Sequence, residues 1–202
     1  MNKTKITPWF IFLCLYRSRL QKRKRVASSP STEQLQEGGG IFGFKPKTLF
    51  VFGDSYADTG NTPVTIAALW RFPYGITFPG KPAGQFSNDR LSTDYLAKYL
   101  GFRTPVPYKL RRYARPRQVE KKGINFAYGG AGVFETMFKV PNTSMHINFF
   151  EQLLWKKVYS SADLNSSVAF FSLVSNDYLT YDKFNGIQQV FDPFPTRVVR
   201  MD

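Results

Sequence analysis

Residues 48–52, Thr-Leu-Phe-Val-Phe, form an unbroken β-prone apolar run that ends abruptly in Gly53-Asp54-Ser55. Such a run has no polar face. It can only be an inner strand covered on both sides, as in a parallel sheet. Parallel strands need crossovers, so the rest of the chain must supply helices between strands. The spacing meets that demand. A helix is expected around Thr62–Trp70, with Pro63 confining its start, and another over Ser92–Leu100, closed by Gly101. Residues 71–85 are rich in Pro and Gly and read as an extended loop, as does the basic stretch 103–122. Gly123–Tyr128 reads as a short second strand, Ile147–Tyr159 as an amphipathic helix and Ser167–Val174 as a third buried strand. This alternation is that of an α/β domain with a parallel sheet.

Two stretches account for the net charge of +14. Residues 1–47 contribute +8 and residues 109–122 contribute +6, so the remainder is neutral. A nucleic-acid-binding domain spreads a basic face over its folded body, so no nucleic-acid partner is expected. Contact with an anionic surface through Lys22–Arg25 and Arg111–Arg117 is the weakest of the readings, because most charge runs are simply solvated. The one cysteine, Cys14, excludes an internal disulfide framework and a cysteine-based zinc site.

The chain divides into a basic N-terminal segment with a linker, 1–46, and a folded part, 47–202. Residues 6–16 are apolar and follow Lys3 and Lys5, as in the first part of a secretory signal. The run is too short to span a bilayer, which takes about 20 residues. A signal for secretion and an unstructured basic N-terminus are both open readings.

Ligands of open α/β sheets bind beyond the carboxyl ends of the strands. Three strand ends here carry polar or glycine-rich turns, and they are expected to converge. The first is Gly53-Asp54-Ser55, in which glycine allows a sharp turn and exposes the Ser55 hydroxyl. A serine hydroxyl attacks only when a base takes its proton. Taken alone, the turn reads more simply as a helix start with Asp54 or Ser55 as its cap. The second is Tyr128-Gly129-Gly130-Ala131-Gly132, whose amides can approach a developing oxyanion closely. It is not a dinucleotide loop, because Glu135 stands where the last glycine belongs. The third is Ser175-Asn176-Asp177, where Asn176 offers a side-chain donor. Alone, that turn reads as an Asx-turn.

Together the three turns resemble the GDSL esterase/lipases of plants, within the SGNH hydrolase superfamily. The likeness runs from about Thr48 to Tyr178. It rests on Leu-Phe-Val-Phe-Gly-Asp-Ser at 49–55, Asp-Thr-Gly-Asn at 58–61, Phe-Pro-Tyr-Gly at 72–75, Gly-Ile-Asn-Phe-Ala-Tyr-Gly-Gly-Ala-Gly at 123–132 and Asn-Asp-Tyr at 176–178. Residues 85–90 resemble a further family pattern, with Gln85 and Asp89 as departures.

The resemblance implies a flavodoxin-like three-layer α/β/α fold, incomplete at its C-terminal strands and helices, with no metal and no cofactor. It implies hydrolysis of carboxylic ester or lipid substrates and lipid degradation. It further implies Ser55 as nucleophile on a turn supported by Gly53 and Asp54. The oxyanion hole would combine the Ser55 amide, an amide of Gly129 or Gly130, and the Asn176 side chain.

The family's base is a histidine three residues after an aspartate, and these 202 residues contain no Asp-x-x-His. The single histidine, His146, follows Thr143 at that spacing and is expected to be a surface or packing residue. Val174 stands where the family has glycine, which is expected to disturb the third turn. A catalytically inactive truncated member, or a binding remnant, is therefore the alternative reading. Without further strands, the third strand is expected to leave an edge or face uncovered.

Overall fold

The computed structural model describes residues 44–65, 68–115, 119 and 122–184, together with the backbone of 11–14. Most of the N-terminal segment, including most of the signal-like run, lies outside the described residues, as do residues 185–202.

The sheet has five strands: β1 (Ile11–Cys14), β2 (Thr48–Gly53), β3 (Val106–Pro107), β4 (Ile124–Asn125) and β5 (Ser167–Ser172). Their spatial order is β1-β5-β2-β4-β3, so β2 lies at the centre. It pairs parallel with β5 along its whole length, from Thr48 against Ser167 to Gly53 against Ser172. On its other side it pairs parallel with β4. The Phe126 and Tyr128 amides donate to the Val51 and Gly53 carbonyls at 2.7 and 2.9 Å, carrying the ladder past the assigned end of β4. The outer edge of β5 is paired antiparallel with β1, Ile11 against Ser172 and Cys14 against Ala169. The uncovered edge expected from the sequence is thus occupied, by a segment some 150 residues earlier in the chain, too remote for a local pattern to reveal.

The period of two along β2 sorts its side chains onto opposite faces. Leu49 and Val51 join Val168, Phe170 and Ala97 on one face, under the helix α1 (Ser92–Tyr99). Phe50 and Phe52 join Phe126, Tyr159 and Leu153 on the other, under α2 (Thr143–Trp155). Two apolar layers with helices outside them make the three-layer α/β/α arrangement, with all six residues of β2 buried. The second layer is aromatic. Phe52 stacks on Phe171 at 4.6 Å and on Phe126 at 5.1 Å, while Phe50 meets Tyr159 edge-on at 4.8 Å. Each such pair adds about 0.5–1.5 kcal/mol beyond its area.

α1 forms as expected, with Gly101 donating to the Lys98 carbonyl behind it. α2 begins four residues earlier than the apolar spacing indicates, because the Asn142 side chain accepts the Met145 amide and caps it. A short helix, α3 (Ser161–Asn165), follows; Ser160 and Asp163 cap its start reciprocally, a polar signal that the apolar periodicity does not register. β5 alternates buried and half-buried residues rather than being buried throughout. The helix expected over Thr62–Trp70 is absent from the described residues there, which form turns and one 3-10 turn, Ala68–Trp70. There the Thr62 amide and hydroxyl both donate to Asp58, and the Trp70 indole donates to the Thr62 carbonyl. Those bonds hold the chain in a loop that helical pairing would break.

Candidate active site

Three turns meet at the carboxyl ends of β2, β4 and β5. The first, after β2, begins with a close approach. A Cβ on Gly53 would stand 2.3 Å from the Ser172 carbonyl oxygen, so glycine is required here by the neighbouring strand's backbone. The sharp bend proposed from the sequence is not the reason. The Asp54 carboxylate then accepts the Tyr56 amide at 3.0 Å, closing a local turn. Its other oxygen accepts the Val174 amide at 2.8 Å, tying this turn to the one after β5. Burial pushes the Asp54 carboxyl above its ordinary value; the two donated amides pull it back, and the nearby Asp177 charge adds to the rise.

Ser55 follows on this turn, half-buried beside the exposed Tyr56. No described residue forms a hydrogen bond with its hydroxyl. It caps no helix; of the simpler reading, the turn itself is present, closed by Asp54 on the Tyr56 amide. The turn is pinned instead by α1, whose Ser92 and Thr93 hydroxyls donate to the Tyr56 and Ala57 carbonyls at 2.7 and 2.8 Å.

The second turn is locked to the first by Asp58, which is fully buried. Its carboxylate gathers the amides of Gly60, Asn61 and Thr62, the Thr62 hydroxyl and, across the site, the Gly129 amide at 3.0 Å. Burial raises its pKa and these donors oppose the rise. Asn61 adds a second tie by donating to the Asn125 and Ala127 carbonyls at 2.8 Å each. These bonds separate the two glycines considered for the oxyanion hole. The Gly129 amide is already held by Asp58 and Thr62. The Gly130 amide has no acceptor among the described residues, and its φ of +85° turns the chain there into a conformation that favours glycine.

The third turn opens α4 (Asn176–Lys183). Asn176 is the first residue of this helix, and its Nδ2 donates to the Ala131 carbonyl at 2.8 Å. One of its two amide hydrogens is thus engaged within the second turn rather than aimed outward, and the other is available. Asp177 accepts the Val133 and Phe134 amides at 3.0 Å each. The third turn forms with Val174 in place, because what it needs from that position is a backbone amide for Asp54. Gln85, a departure from the family pattern, is buried and donates to the Phe78 and Asp89 carbonyls at 2.7 Å, closing the 78–89 loop.

His146 lies on α2, fully buried beside the Pro141 backbone, and neither ring nitrogen reaches full hydrogen-bond geometry. Burial lowers its pKa to about 4. Of the two places expected for it, surface and packing, the structure selects packing. Among the described residues no group of three or more His, Cys, Asp or Glu side chains is placed to hold a metal ion.

Asp58, Asn61, Asn125 and Asp177 fasten the site together, and the sequence reading gave none of them a role. Their one signal was membership of the Asp-Thr-Gly-Asn, Asn-Phe-Ala and Asn-Asp-Tyr strings.

With this geometry described, comparison with known proteins decides the family. The family model of GDSL-like lipases and acylhydrolases matches residues 49–201. The chain belongs to the GDSL-like lipase/acylhydrolase family. It is 61% identical over 201 residues to GDSL esterase/lipase At2g36325 of Arabidopsis thaliana, covering 99% of this chain and 56% of the relative. Against GDSL esterase/lipase At5g03610 of the same plant it is 46% identical over 79% of this chain and 44% of the relative. Acetylajmalan esterase 2 of Rauvolfia serpentina is 35% identical over 64% of this chain and 37% of its own length. The chain therefore spans about half the length, or less, of these GDSL relatives. Their names support ester hydrolysis as the family's general activity.

Proposed function

We propose that this chain carries the nucleophile and oxyanion-binding half of a serine ester hydrolase acting on small carboxylic ester or lipid substrates. The observation that carries the reading is the Ser55 hydroxyl, without a partner among the described residues, on a turn whose flanking residues are fixed from three sides. Ser55 Oγ attacks the ester carbonyl carbon. The carbonyl oxygen becomes an oxyanion and accepts hydrogen bonds from the Ser55 amide, the Gly130 amide and the Asn176 side chain. Removing one such donor costs about 2.7–4 kcal/mol of transition-state stabilisation in enzymes of this kind. The alcohol leaves, and water then hydrolyses the acyl-serine.

The proton on Ser55 needs a base, which His146 does not supply, because it is sealed in the core without a hydrogen bond to Ser55. The family's form of that base, a histidine three residues after an aspartate, does not occur in these 202 residues, so the reading requires a longer form that supplies it. A fluorophosphonate probe tests the reading. A folded full-length form should label at Ser55 and lose the label in Ser55→Ala. Failure of the folded protein to label sinks the assignment.

The burial of the one histidine favours a second reading, a catalytically inactive family member. The coding sequence of the dominant transcript discriminates: an in-frame Asp-x-x-His downstream argues against inactivity. The signal-like N-terminal run supports secretion as a further proposal; because Ile11–Cys14 of that run pairs with β5, it requires that strand to leave the sheet, and retention of a fluorescent fusion inside plant cells would refute it.

A further inference from the structure

The loop after β3 and the second turn enclose a cleft of about 400 Å³ on the α2 side of the sheet. Its aromatic lining is Tyr108, Tyr128 and Phe149, together with Phe126, which is itself buried. Its cations are Lys109, Arg111 and Arg112, and no acidic residue lines it. Among the described residues none of the three makes an ion pair.

The cationic side is organised beyond what a solvated loop requires. The Arg111 guanidinium lies 3.6 Å over the Tyr108 ring, and its Nη1 donates to the Tyr108 carbonyl at 2.7 Å. Its remaining N–H groups keep a fixed orientation for a planar anion. Tyr108 is itself held, stacked on Phe149 at 4.6 Å with 12° between the rings. The Lys109 amide donates to Asn61 Oδ1 at 3.0 Å, so the residue that locks the second turn also positions this cation. The Tyr128 hydroxyl has no partner among the described residues. Burial raises its pKa, so it remains a protonated donor at neutral pH.

We propose that this cleft binds a planar aromatic group bearing a carboxylate, the ring lying against the tyrosine and phenylalanine wall and the carboxylate among Lys109, Arg111 and Arg112. The aromatic wall selects against a bare inorganic anion, and the cations select against a neutral arene. Tyr128, which lines the cleft, directly precedes Gly129-Gly130 of the second turn. That the bound group is part of the ester cleaved at Ser55 rests on the proposed function; the binding itself does not.

The test is an NMR amide-shift titration of this chain with benzoate, benzamide and cyclohexanecarboxylate. Benzoate should bind saturably in the millimolar range and shift the Lys109 and Tyr128 amides. Benzamide and cyclohexanecarboxylate should bind at least about tenfold and about threefold more weakly, respectively. The exposed pair Lys109→Gln/Arg112→Gln should weaken benzoate about tenfold and leave benzamide unchanged. Lys98→Gln/Arg103→Gln, which removes equal charge from exposed positions outside the cleft, should change neither. Any of four results overturns the proposal: no saturation with benzoate, a neutral or non-aromatic analogue that binds as tightly, indifference to the Lys109/Arg112 change, or equal sensitivity to the Lys98/Arg103 change. Binding is read without turnover, so inert Ser55 would sink the hydrolase reading and leave this one standing.

Discussion

Asp54 and Val174 lie 120 residues apart and share one hydrogen bond, the Val174 amide donating to Asp54 Oδ2 at 2.8 Å. The same carboxylate holds the Tyr56 amide, so one side chain fixes Ser55 locally and ties its turn to the turn that presents Asn176. Replacing Asp54 with Ala leaves both amides without their acceptor. Asp54→Ala should lower unfolding stability by about 1–3 kcal/mol, measured by urea denaturation. It should also slow fluorophosphonate labelling of a full-length form by more than the fraction unfolded accounts for.

Gly53 and Gly129 occupy close approaches, and their neighbours differ in how far they can yield. A methyl on Gly53 meets the Ser172 backbone carbonyl at 2.3 Å, whereas one on Gly129 meets the Phe86 ring at 2.1 Å. A ring can swing aside and a sheet backbone cannot. Gly129→Ala should cost about 1–3 kcal/mol, the usual range for overpacking. Gly53→Ala should cost more and shift the amide resonances of both β2 and β5. Equal losses in the two variants would contradict this ordering.

Asn61 satisfies three backbone groups at once: the carbonyls of Asn125 and Ala127 and the amide of Lys109. Asn61→Leu keeps the volume and leaves all three unpaired near the core. The expected loss is about 2–4 kcal/mol, since each buried unsatisfied group costs about 1–3 kcal/mol before relaxation. Thermal unfolding monitored by circular dichroism reads it.

His146 predicts a pH dependence with a definite sign. Unfolded, its imidazole titrates near 6.5; folded, burial holds it to about 4. Between these values the unfolded chain binds a proton that the folded chain does not. Its contribution is therefore complete above pH 6.5 and is lost as the pH falls toward 4. By pH 5 the loss is about 2 kcal/mol. Asp54 and Asp58, both raised by burial, run the opposite way, favouring the fold below their folded pKa values. Comparison with His146→Phe isolates the histidine: the wild type should lose about 2 kcal/mol more than the variant between pH 7.5 and 5.

Ser55 is half-buried, and none of the described residues bonds to its hydroxyl, so Ser55→Ala should leave stability within about 0.5 kcal/mol of wild type. The 202-residue chain should turn over a short acyl ester at a negligible rate, because it has no Asp-x-x-His and no side chain among the described residues bonds to the Ser55 hydroxyl. Clear turnover that disappears in Ser55→Ala would overturn that expectation.

The sequence alone determined the central strand, its position inside a parallel sheet, the family of the scaffold and the position of Ser55. These follow from short-range patterns: an apolar run without a polar face, a period of two, glycine and polar residues at strand ends. Two of the four described helices, α1 and α2, were legible for the same reason, with boundaries set by caps such as Asn142 that an apolar period does not detect; α3 and α4 were not. The tertiary structure alone decided which donors are free. Gly129 and Gly130 are adjacent and identical in type, yet the Gly129 amide is held by Asp58, 71 residues earlier. Thr62–Trp70 had a helical look, yet Asp58 and Trp70 hold its backbone in turns. No local pattern closes the edge of β5, yet Ile11–Cys14 pairs with it. For Gly129 and the edge of β5 the deciding partner is remote in the chain, and for Thr62 it is Asp58, four residues away; in all three a hydrogen-bond partner is set by packing in space, which apolar periodicity does not encode.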